Sequence, residues 1–197
     1  MRKTGNKQIN TAEYWDDRYL DREAYVKETG VTRFFVALSE IQDGDHVLDI
    51  GCGIGQFTEA VKDRYPQCVV WGTDISPHAI EENKKRRKDI TYYEATVGQE
   101  LMIPDNYFDV VFSGEVLEHI DNPHDLFKDA YKSLKKGGTL IITTPLNNQI
   151  QTPEHMHYFS REDVSLLYDV NGFDNIRHIF LPNGEDQLII MAKGTRI

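Results

Sequence analysis

The residues of this chain best suited to chemistry lie where an apolar run meets a cluster of glycines. The mostly apolar run 47–50 is followed by three glycines, Gly51, Gly53 and Gly55. A helical pattern of apolar residues comes next. This order predicts a buried strand, a tight turn and the start of a helix. Glycine has no Cβ, so its backbone can adopt positive φ and approach a ligand closely. The turn therefore predicts a nucleotide-type ligand site at the end of a strand.

The spacing of the glycines indicates the charge of that ligand. A dinucleotide site has the pattern G-x-G-x-x-G, whose third glycine would fall here at Gln56. The chain instead has G-x-G-x-G, with Asp49 two residues before Gly51. A carboxylate at that place would repel a pyrophosphate and attract a cation. The alternative is a glycine-rich turn that binds nothing.

The glycine turn resembles motif I of the class I S-adenosylmethionine-dependent methyltransferases. S-adenosylmethionine has no phosphate and carries an ammonium and a sulfonium group, as the charge argument requires. Residues 108–119 read F-D-V-V-x-S-x-E-V-L-E-H, and residues 134–145 read L-K-K-G-G-x-L-I-I-x-x-P. Both strings resemble the ubiquinone/menaquinone-biosynthesis type within this superfamily. The resemblance extends over about residues 45–192, and it argues against a turn without a ligand.

Strands that alternate with helices predict a parallel, doubly wound α/β sheet with its ligand at the carboxyl ends of the strands. The resemblance implies a Rossmann-like, mostly parallel seven-stranded sheet that ends in an antiparallel hairpin. We expect residues 45–197 to form a single methyltransferase domain. Residues 1–44 should supply N-terminal helices and a lid over the cofactor, with residues 1–10 frayed.

Asp74 is the predicted contact to the ribose of the cofactor. It ends the second predicted strand, 19 residues after Gly55, where a carboxylate can accept both ribose hydroxyls. The alternative role for Asp74 is to cap the next helix. Ser76 and Pro77 already supply a cap and a first-turn proline, so we favour the ribose role.

The remaining cofactor contacts follow partly from the resemblance. Relatives often bind adenine through an acid after the third strand, whereas Thr96, Val97 and Gly98 hold no acid here. Tyr14 and Trp15 either fasten their helix to the body of the protein or cover the sulfonium with an aromatic face. The expected cofactor-binding residues are Tyr14, Trp15, Asp49, Gly51, Cys52, Gly53, Asp74, Ile75, Val97, Ser113, Gly114 and Glu115.

The candidate catalytic residues are His119, Glu115, His155 and His157. Methyl transfer depends mainly on alignment of the nucleophile with the methyl group, and an O–H or N–H nucleophile can also need a base. A histidine titrates near neutral pH and suits that role. The alternative is that His119 packs against a helix and His155 orders a loop.

A metal site is a second interpretation of the same residues. On a helix, Glu115, Glu118 and His119 would lie on one face, and His155 or His157 could complete a set of ligands. That set resembles the metal-dependent ribose 2′-O-methyltransferases that act on small-RNA 3′ ends. The string E-x-x-E-H also occurs in metal-free relatives, so we expect no metal.

Composition restricts the partners. The chain has 197 residues and a net charge of −10, from 22 basic and 32 acidic residues, which disfavours a nucleic-acid footprint. The basic run 84–88 is expected to be a solvated helix end. We expect no membrane segment and no signal peptide. The two cysteines, Cys52 and Cys68, favour a reduced, cytoplasmic protein, either monomer or homodimer.

The sequence as a whole predicts an S-adenosylmethionine-dependent methyltransferase that acts on an oxygen or nitrogen atom of a small molecule, such as a sugar, quinol or natural-product-like acceptor. Two alternatives remain open. One is a metal-dependent RNA 3′-end ribose 2′-O-methyltransferase. The other is a non-catalytic binding protein with the methyltransferase fold.

Overall fold

A computed structural model describes residues 2–3, 9–23, 25, 32–99, 102–146, 152–182 and 188–197. The strands are β1 (Arg2–Lys3), β2 (His46–Ile50), β3 (Val69–Asp74), β4 (Thr91–Glu94), β5 (Phe108–Gly114), β6 (Leu134–Pro145), β7 (His157–Tyr158), β8 (Phe173–Pro182) and β9 (Leu188–Arg196). The α-helices are α1 (Ala12–Tyr19), α2 (Thr32–Leu38), α3 (Gln56–Arg64), α4 (Pro77–Arg86), α5 (Pro123–Ser133) and α6 (Arg161–Val170). A 3₁₀ helix covers Leu117–His119.

Seven strands form one sheet in the order β4-β3-β2-β5-β6-β9-β8. The strands from β4 to β6 are parallel, and β9 pairs with both β6 and β8 in antiparallel fashion. The predicted fold, a doubly wound sheet with an antiparallel C-terminal hairpin, is confirmed. The strand order reverses at β2, so the space beyond the end of β2 is the topological switch point where such folds bind ligands.

Helices cover both faces of the sheet and form two apolar cores. Phe34 of α2, Phe57 of α3 and Phe112 of β5 belong to one buried cluster. Phe127 of α5 and Tyr168 of α6 belong to the other. Because α2 packs into the same core as β2, the segment 32–41 is part of the main body.

Some predicted boundaries were wrong. Residues 1–10 were expected to be frayed, but Arg2–Lys3 pairs with His157–Tyr158 in a two-stranded antiparallel sheet. The hairpin strands β8 and β9 are longer than the apolar runs 176–181 and 187–191, because backbone pairing continues before residue 176 in β8 and after residue 191 in β9. In the predicted loop 147–157, residues 147–151 lie outside the described residues.

Three helices begin at the predicted capping residues. Thr11 Oγ1 accepts a hydrogen bond from the backbone N–H of Tyr14, and Ser76 Oγ accepts one from Ala79. Ser160 forms a capping box with Asp163, in which each side chain accepts a hydrogen bond from the other residue's backbone N–H. Within the described ranges, no helix is long and apolar enough to span a membrane.

The cap at α6 provides a test of local stability. Ser160→Ala removes the acceptor for the Asp163 N–H and should lower the free energy of unfolding by about 1 kcal/mol. For a chain of this size the melting temperature should fall by roughly 2–4 °C. Ser160→Thr retains the hydroxyl and is the matched control, measured with the same urea and thermal denaturation. Equal loss of stability in both variants would contradict the capping role.

Candidate active site

A cavity of about 450 Å³ lies at the carboxyl ends of the parallel strands. Residues on one side of the switch point lie at or after the ends of β2, β3 and β4, and those on the other side lie at or after the ends of β5 and β6. The first group comprises Asp49, Ile50, Gly51, Cys52, Gly53, Ile54, Thr73, Asp74, Ile75, Ala95, Thr96 and Val97. The second group comprises Gly114, Glu115, Val116, Glu118, His119, Ile120, Asp121, Asn122, Asp125, Pro145, Thr152, Glu154 and His155.

The turn after β2 has the backbone geometry that its glycines predict. Gly51, Gly53 and Gly55 have φ values of 78°, 48° and 81°, in the left-handed region that disfavours side chains. A Cβ on Gly51 would lie 2.3 Å from Cγ2 of Val116, and one on Gly53 would lie 3.0 Å from the Tyr19 hydroxyl. The two glycines therefore keep this wall of the cavity open and the turn unstrained.

Asp74 connects the end of β3 to the glycine turn. Its Oδ2 accepts a hydrogen bond from Gly53 N at 2.8 Å, and its Oδ1 accepts one from Ser76 N at 2.9 Å. Burial raises the pKa of this carboxyl from 3.8 to about 6, partly offset by these two hydrogen bonds. The carboxylate is thus held rigidly at the cavity wall.

Asp49 and Cys52 line the cavity beside Asp74. Asp49 is buried, with 2% of its surface exposed, at the end of β2. Burial, together with the charges of Asp74 and Asp49, raises the pKa of the Cys52 thiol well above its ordinary value. The thiol therefore stays protonated at neutral pH and is a poor nucleophile.

Helix α1 covers the cavity. Trp15 and Tyr19 line it, with their rings stacked at a centroid distance of 5.7 Å. Asp16 Oδ1 accepts hydrogen bonds from the Ser76 hydroxyl and from His78 N at the start of α4. Asn10 Nδ2 donates to the Glu154 carbonyl at 2.9 Å, which links the helix to the segment that carries His155.

Glu118, His119 and His155 meet on the side of the cavity that follows β5 and β6. One ligand atom from each lies within 4.8 Å of the others. The His119 ring also packs against Trp15 in a T-shaped arrangement, at a centroid distance of 5.0 Å. Burial, and then the neighbouring His155, lowers the pKa of His119 to about 3, so the imidazole is neutral at physiological pH.

Three predicted site residues do not line the cavity. The Ser113 hydroxyl donates to the Ile50 carbonyl at 2.8 Å and so connects β5 to β2. His157 Nε2 lies 3.0 Å from the carbonyl oxygen of Asp121. Tyr14 packs its ring against Trp15 on the lid. The other predicted residues, Trp15, Asp49, Gly51, Cys52, Gly53, Asp74, Ile75, Val97, Gly114, Glu115, His119 and His155, all line it.

The structure does not contain the helix that the metal-site alternative needs to bring Glu115, Glu118 and His119 onto one face. Glu115 has φ of 56°, outside the α-helical region, and the short 3₁₀ helix begins only at Leu117. The three side chains therefore do not share a helical face. Glu118 and His119 instead meet His155, which the backbone brings close because Met156 N donates to the Glu118 carbonyl at 2.8 Å.

Sequence reasoning missed several residues of the cavity, including Arg18, Tyr25, Gln56 and Asp125. Asp125, in the first turn of α5, lies against Gly98, so an acid is present near Val97 although the local sequence has none. Arg18 follows Trp15 by three residues, and that helical spacing on α1 was the available signal. For Asp125, 27 residues beyond Gly98, the sequence contains no such signal.

The charge of the cavity is strongly negative. Its lining includes seven carboxylates, and Arg18 is the one cationic side chain among the residues identified there. The carboxylates belong to Asp49, Asp74, Glu115, Glu118, Asp121, Asp125 and Glu154. Clustered charge of one sign raises the local concentration of ligands of the opposite sign. The cavity therefore favours cationic ligands.

The basic run at the end of α4 is largely occupied by ion pairs. Lys85 pairs with Glu82, Arg86 with Glu59, and Arg87 with both Asp63 and Asp89. A surface whose cations already face carboxylates has little charge left for phosphates. This arrangement agrees with the predicted solvated helix end.

Comparisons with known proteins agree with this geometry. A family described as "Methyltransferase domain" matches residues 48–142. A phosphoethanolamine N-methyltransferase of Triticum aestivum is 33% identical over 126 residues, covering 61% of this chain and 25% of that protein. The ubiquinone/menaquinone biosynthesis C-methyltransferase UbiE of Desulfotalea psychrophila is 30% identical over 152 residues, covering 76% of this chain and 61% of that protein.

A similar fold occurs in a solved structure of Haemonchus contortus phosphoethanolamine N-methyltransferase 2 in complex with phosphomonomethylethanolamine and S-adenosylhomocysteine. The TM-score is 0.73 at 17% identity, and the match covers 92% of this chain and 60% of that one. At this identity the match concerns the fold. The chain spans about a quarter of the Triticum protein and less than two thirds of the other two.

The pKa of Asp74 predicts how stability depends on pH. Because the folded state holds the Asp74 proton more tightly than the unfolded chain does, this group stabilises the fold below pH 4 relative to higher pH. That contribution is lost as pH rises through 6. The Asp74→Asn variant has no carboxyl at this position and does not lose this contribution. Its free energy of unfolding minus that of wild type should therefore increase by about 2 kcal/mol between pH 4.5 and 7.5.

Urea denaturation at the two pH values measures this difference. The matched control is Asp89→Asn, because the hydrogen bond from Arg87 lowers the pKa of Asp89. This carboxyl is ionised in the folded and the unfolded chain at both pH values, so the stability difference between Asp89→Asn and wild type should stay nearly constant. A constant stability difference between Asp74→Asn and wild type across this pH range would contradict the raised pKa.

Proposed function

Since the chain belongs to the class I S-adenosylmethionine-dependent methyltransferase superfamily, we propose that it binds S-adenosylmethionine in the cavity and methylates a small molecule. The acceptor atom in this proposal is a nitrogen or an oxygen. The supporting observation is that one cavity joins the glycine turn, Asp49 and Asp74 to His119 and His155. The former group suits the cofactor and the latter two suit the activation of an acceptor.

In the proposed complex, the cofactor lies along the ends of β2, β3 and β4. Each oxygen of Asp74 already accepts one backbone N–H and retains a lone pair for a ribose hydroxyl. Asp49 supplies negative charge for the ammonium or sulfonium group. Trp15 and Tyr19 offer aromatic faces, which attract a sulfonium in the same way as other cations. Adenine would then lie near Val97, with Asp125 close by.

The acceptor would lie on the side that follows β5 and β6. The carboxylates there favour an uncharged or cationic acceptor over an anionic one. Of the possible acceptors, the negative charge of these carboxylates therefore favours amines most and neutral hydroxyl compounds next. The name of the Triticum relative, a phosphoethanolamine N-methyltransferase, also describes transfer to an amine nitrogen.

The chemistry that this arrangement supports is in-line displacement. The lone pair of the acceptor atom forms a bond to the methyl carbon, the carbon–sulfur bond breaks, and its electron pair stays on sulfur. The products are the methylated acceptor, S-adenosylhomocysteine and a proton that passes to solvent. Holding both reactants in one closed cavity supplies much of the rate enhancement, because alignment is achieved before reaction.

Two further features support the small-molecule interpretation. The lid helix α1 limits access to the cavity, and the ion-paired basic run offers little to RNA. RNA 3′-end methylation is therefore the less favoured alternative. Both cysteines are free and buried, which supports the proposed cytoplasmic location, and a monomer or homodimer stays a prediction.

The cofactor site is tested with Asp74→Ala. Loss of the charged acceptor should weaken S-adenosylmethionine binding by about 1–3 kcal/mol, a roughly 5- to 150-fold rise in the dissociation constant by isothermal titration. Ser113→Ala is the control, because its hydroxyl bonds Ile50 rather than the cavity. Unchanged affinity in Asp74→Ala would show that Asp74 does not contribute to cofactor binding.

The acceptor site is tested by a screen of amines, hydroxyl compounds and short RNAs that detects S-adenosylhomocysteine. We expect amines to give the fastest turnover. Because the low pKa of His119 makes its imidazole a weak base, we expect it to position the acceptor rather than to remove its proton. His119→Ala should leave cofactor affinity nearly intact and lower turnover by up to about 10²-fold, the range for a misplaced reactant.

The outcomes of the screen separate the alternatives. Turnover restricted to RNA would favour the RNA-end methyltransferase. Cofactor binding without turnover across the whole screen would favour a non-catalytic binding protein. Full activity in His119→Ala would indicate that catalysis depends on the alignment of the two reactants and does not require His119.

A further inference from the structure

Three side chains in the cavity have the atoms and spacing of a metal site. Glu118 Oε1 lies 3.8 Å from His119 Nε2, and the rings of His119 and His155 are 4.9 Å apart between centroids. One ligand atom from each residue lies within 4.8 Å of the other two. All three residues are buried. These distances require only a small contraction to bring the atoms within about 2 Å of a common ion.

The neighbours of these side chains orient them toward one another. His119 Nδ1 lies 3.2 Å from the Glu154 carbonyl, which can only accept, so Nδ1 carries the proton and Nε2 presents its lone pair on the side of Glu118. Glu118 Oε2 accepts a hydrogen bond from Thr144 Oγ1 at 2.9 Å. Metal-binding histidines and carboxylates are held by outer hydrogen bonds of this kind.

The three ligands come from two segments of the chain, residues 118–119 and residue 155. The segments that carry the ligands are also joined, because Met156 N bonds the Glu118 carbonyl and so fixes His155 beside the 3₁₀ helix.

We propose that Glu118, His119 and His155 bind one divalent transition-metal ion. Two imidazoles and one carboxylate favour Zn²⁺, Mn²⁺, Co²⁺ or Ni²⁺ over Mg²⁺ and Ca²⁺, which prefer oxygen ligands throughout. Of the residues grouped in the sequence hypothesis, Glu115 and His157 are not part of this set. The sequence led us to expect no metal, and the three-dimensional grouping changes that expectation.

The inference rests on the proposed function for the role of the ion. Three protein ligands leave at least one coordination position, as in catalytic zinc sites, and the site faces the cavity. A hydroxyl acceptor whose oxygen bound at that position would lose its proton to solvent more easily, whereas an amine would use its only lone pair to bind the ion and would gain nothing. A remaining lone pair of the deprotonated oxygen would attack the methyl carbon, and the electrons of the broken carbon–sulfur bond would remain on sulfur.

The test measures metal binding without methylation. Wild-type protein is treated with EDTA, freed of chelator and titrated with Co²⁺, which gives visible absorption bands on coordination, and separately with Zn²⁺ by calorimetry. We expect one ion per chain. Glu118→Gln, His119→Gln and His155→Gln should each weaken binding by at least about 100-fold, since each removes a ligand. His157→Gln, a buried histidine outside the set, is the control and should bind as wild type does.

A second variant covers the case in which a ligand substitution impairs folding. Thr144→Ala leaves all three ligands in place and removes only the hydrogen bond to Glu118, so affinity should fall by about 10-fold. Absence of Co²⁺ bands in the wild type, or equal affinity in the ligand variants and His157→Gln, would overturn the proposal.

Titration of the same preparations with S-adenosylmethionine separates the two proposals. Cofactor binding without metal binding would reject the metal site and leave the methyltransferase function standing. Metal binding without cofactor binding would support the metal site and reject the proposed function.

Discussion

The carboxylate of Asp74 bonds the backbone of two segments that must stay together for the cavity to exist. Through Gly53 N it fixes the glycine turn after β2, and through Ser76 N it fixes the start of α4. The Thr73 carbonyl, one residue earlier, accepts from Gly51 N and Cys52 N. The end of β3 therefore fixes the backbone of the glycine turn through hydrogen bonds. The cost of burying this charge is visible in the raised pKa of the carboxyl.

The lid depends on the same junction. Asp16 of α1 bonds the first turn of α4, which Asp74 positions, and Asn10 bonds the Glu154 carbonyl on the opposite side of the cavity. That carbonyl is also the partner of His119 Nδ1. Closure of the lid and orientation of His119 are thus connected through one backbone group. The lid and the segment that carries Glu154, rather than the sheet, decide which acceptor fits. The fold alone therefore does not identify the acceptor.

Local signals in the sequence predicted much of this arrangement. Three kinds of signal depend only on neighbouring residues, and each lies where predicted. They are the apolar run 47–50, the caps Thr11, Ser76 and Ser160, and the acid that ends β3. The strand end at Ser113 also lies as predicted, but the alternation of the strand directs its hydroxyl to Ile50 rather than to the cavity.

The features that sequence could not supply depend on contacts between distant segments. Glu115 adopts positive φ, so the helical spacing of E-x-x-E-H did not apply. His155 rather than His157 reaches His119, because β7 pairs with β1 and directs His157 toward Asp121. Asp125 comes close to Gly98 through the packing of α5. Which residues line the cavity therefore follows from the packing of loops and helices on the sheet.

The position of Trp15 makes the lid an optical reporter. The chain has two tryptophans, and Trp71 lies on β3 against Tyr93 and Tyr107. The indole of Trp15 is stacked on Tyr19 and lies nearly perpendicular to the His119 ring, so its emission depends on whether the lid is closed and on what lies beneath it. With Trp71 replaced by phenylalanine, the tryptophan fluorescence of the protein, excited selectively over that of its ten tyrosines, would come from the lid alone. Stopped-flow measurements could then follow the arrival and departure of ligands in unlabelled protein.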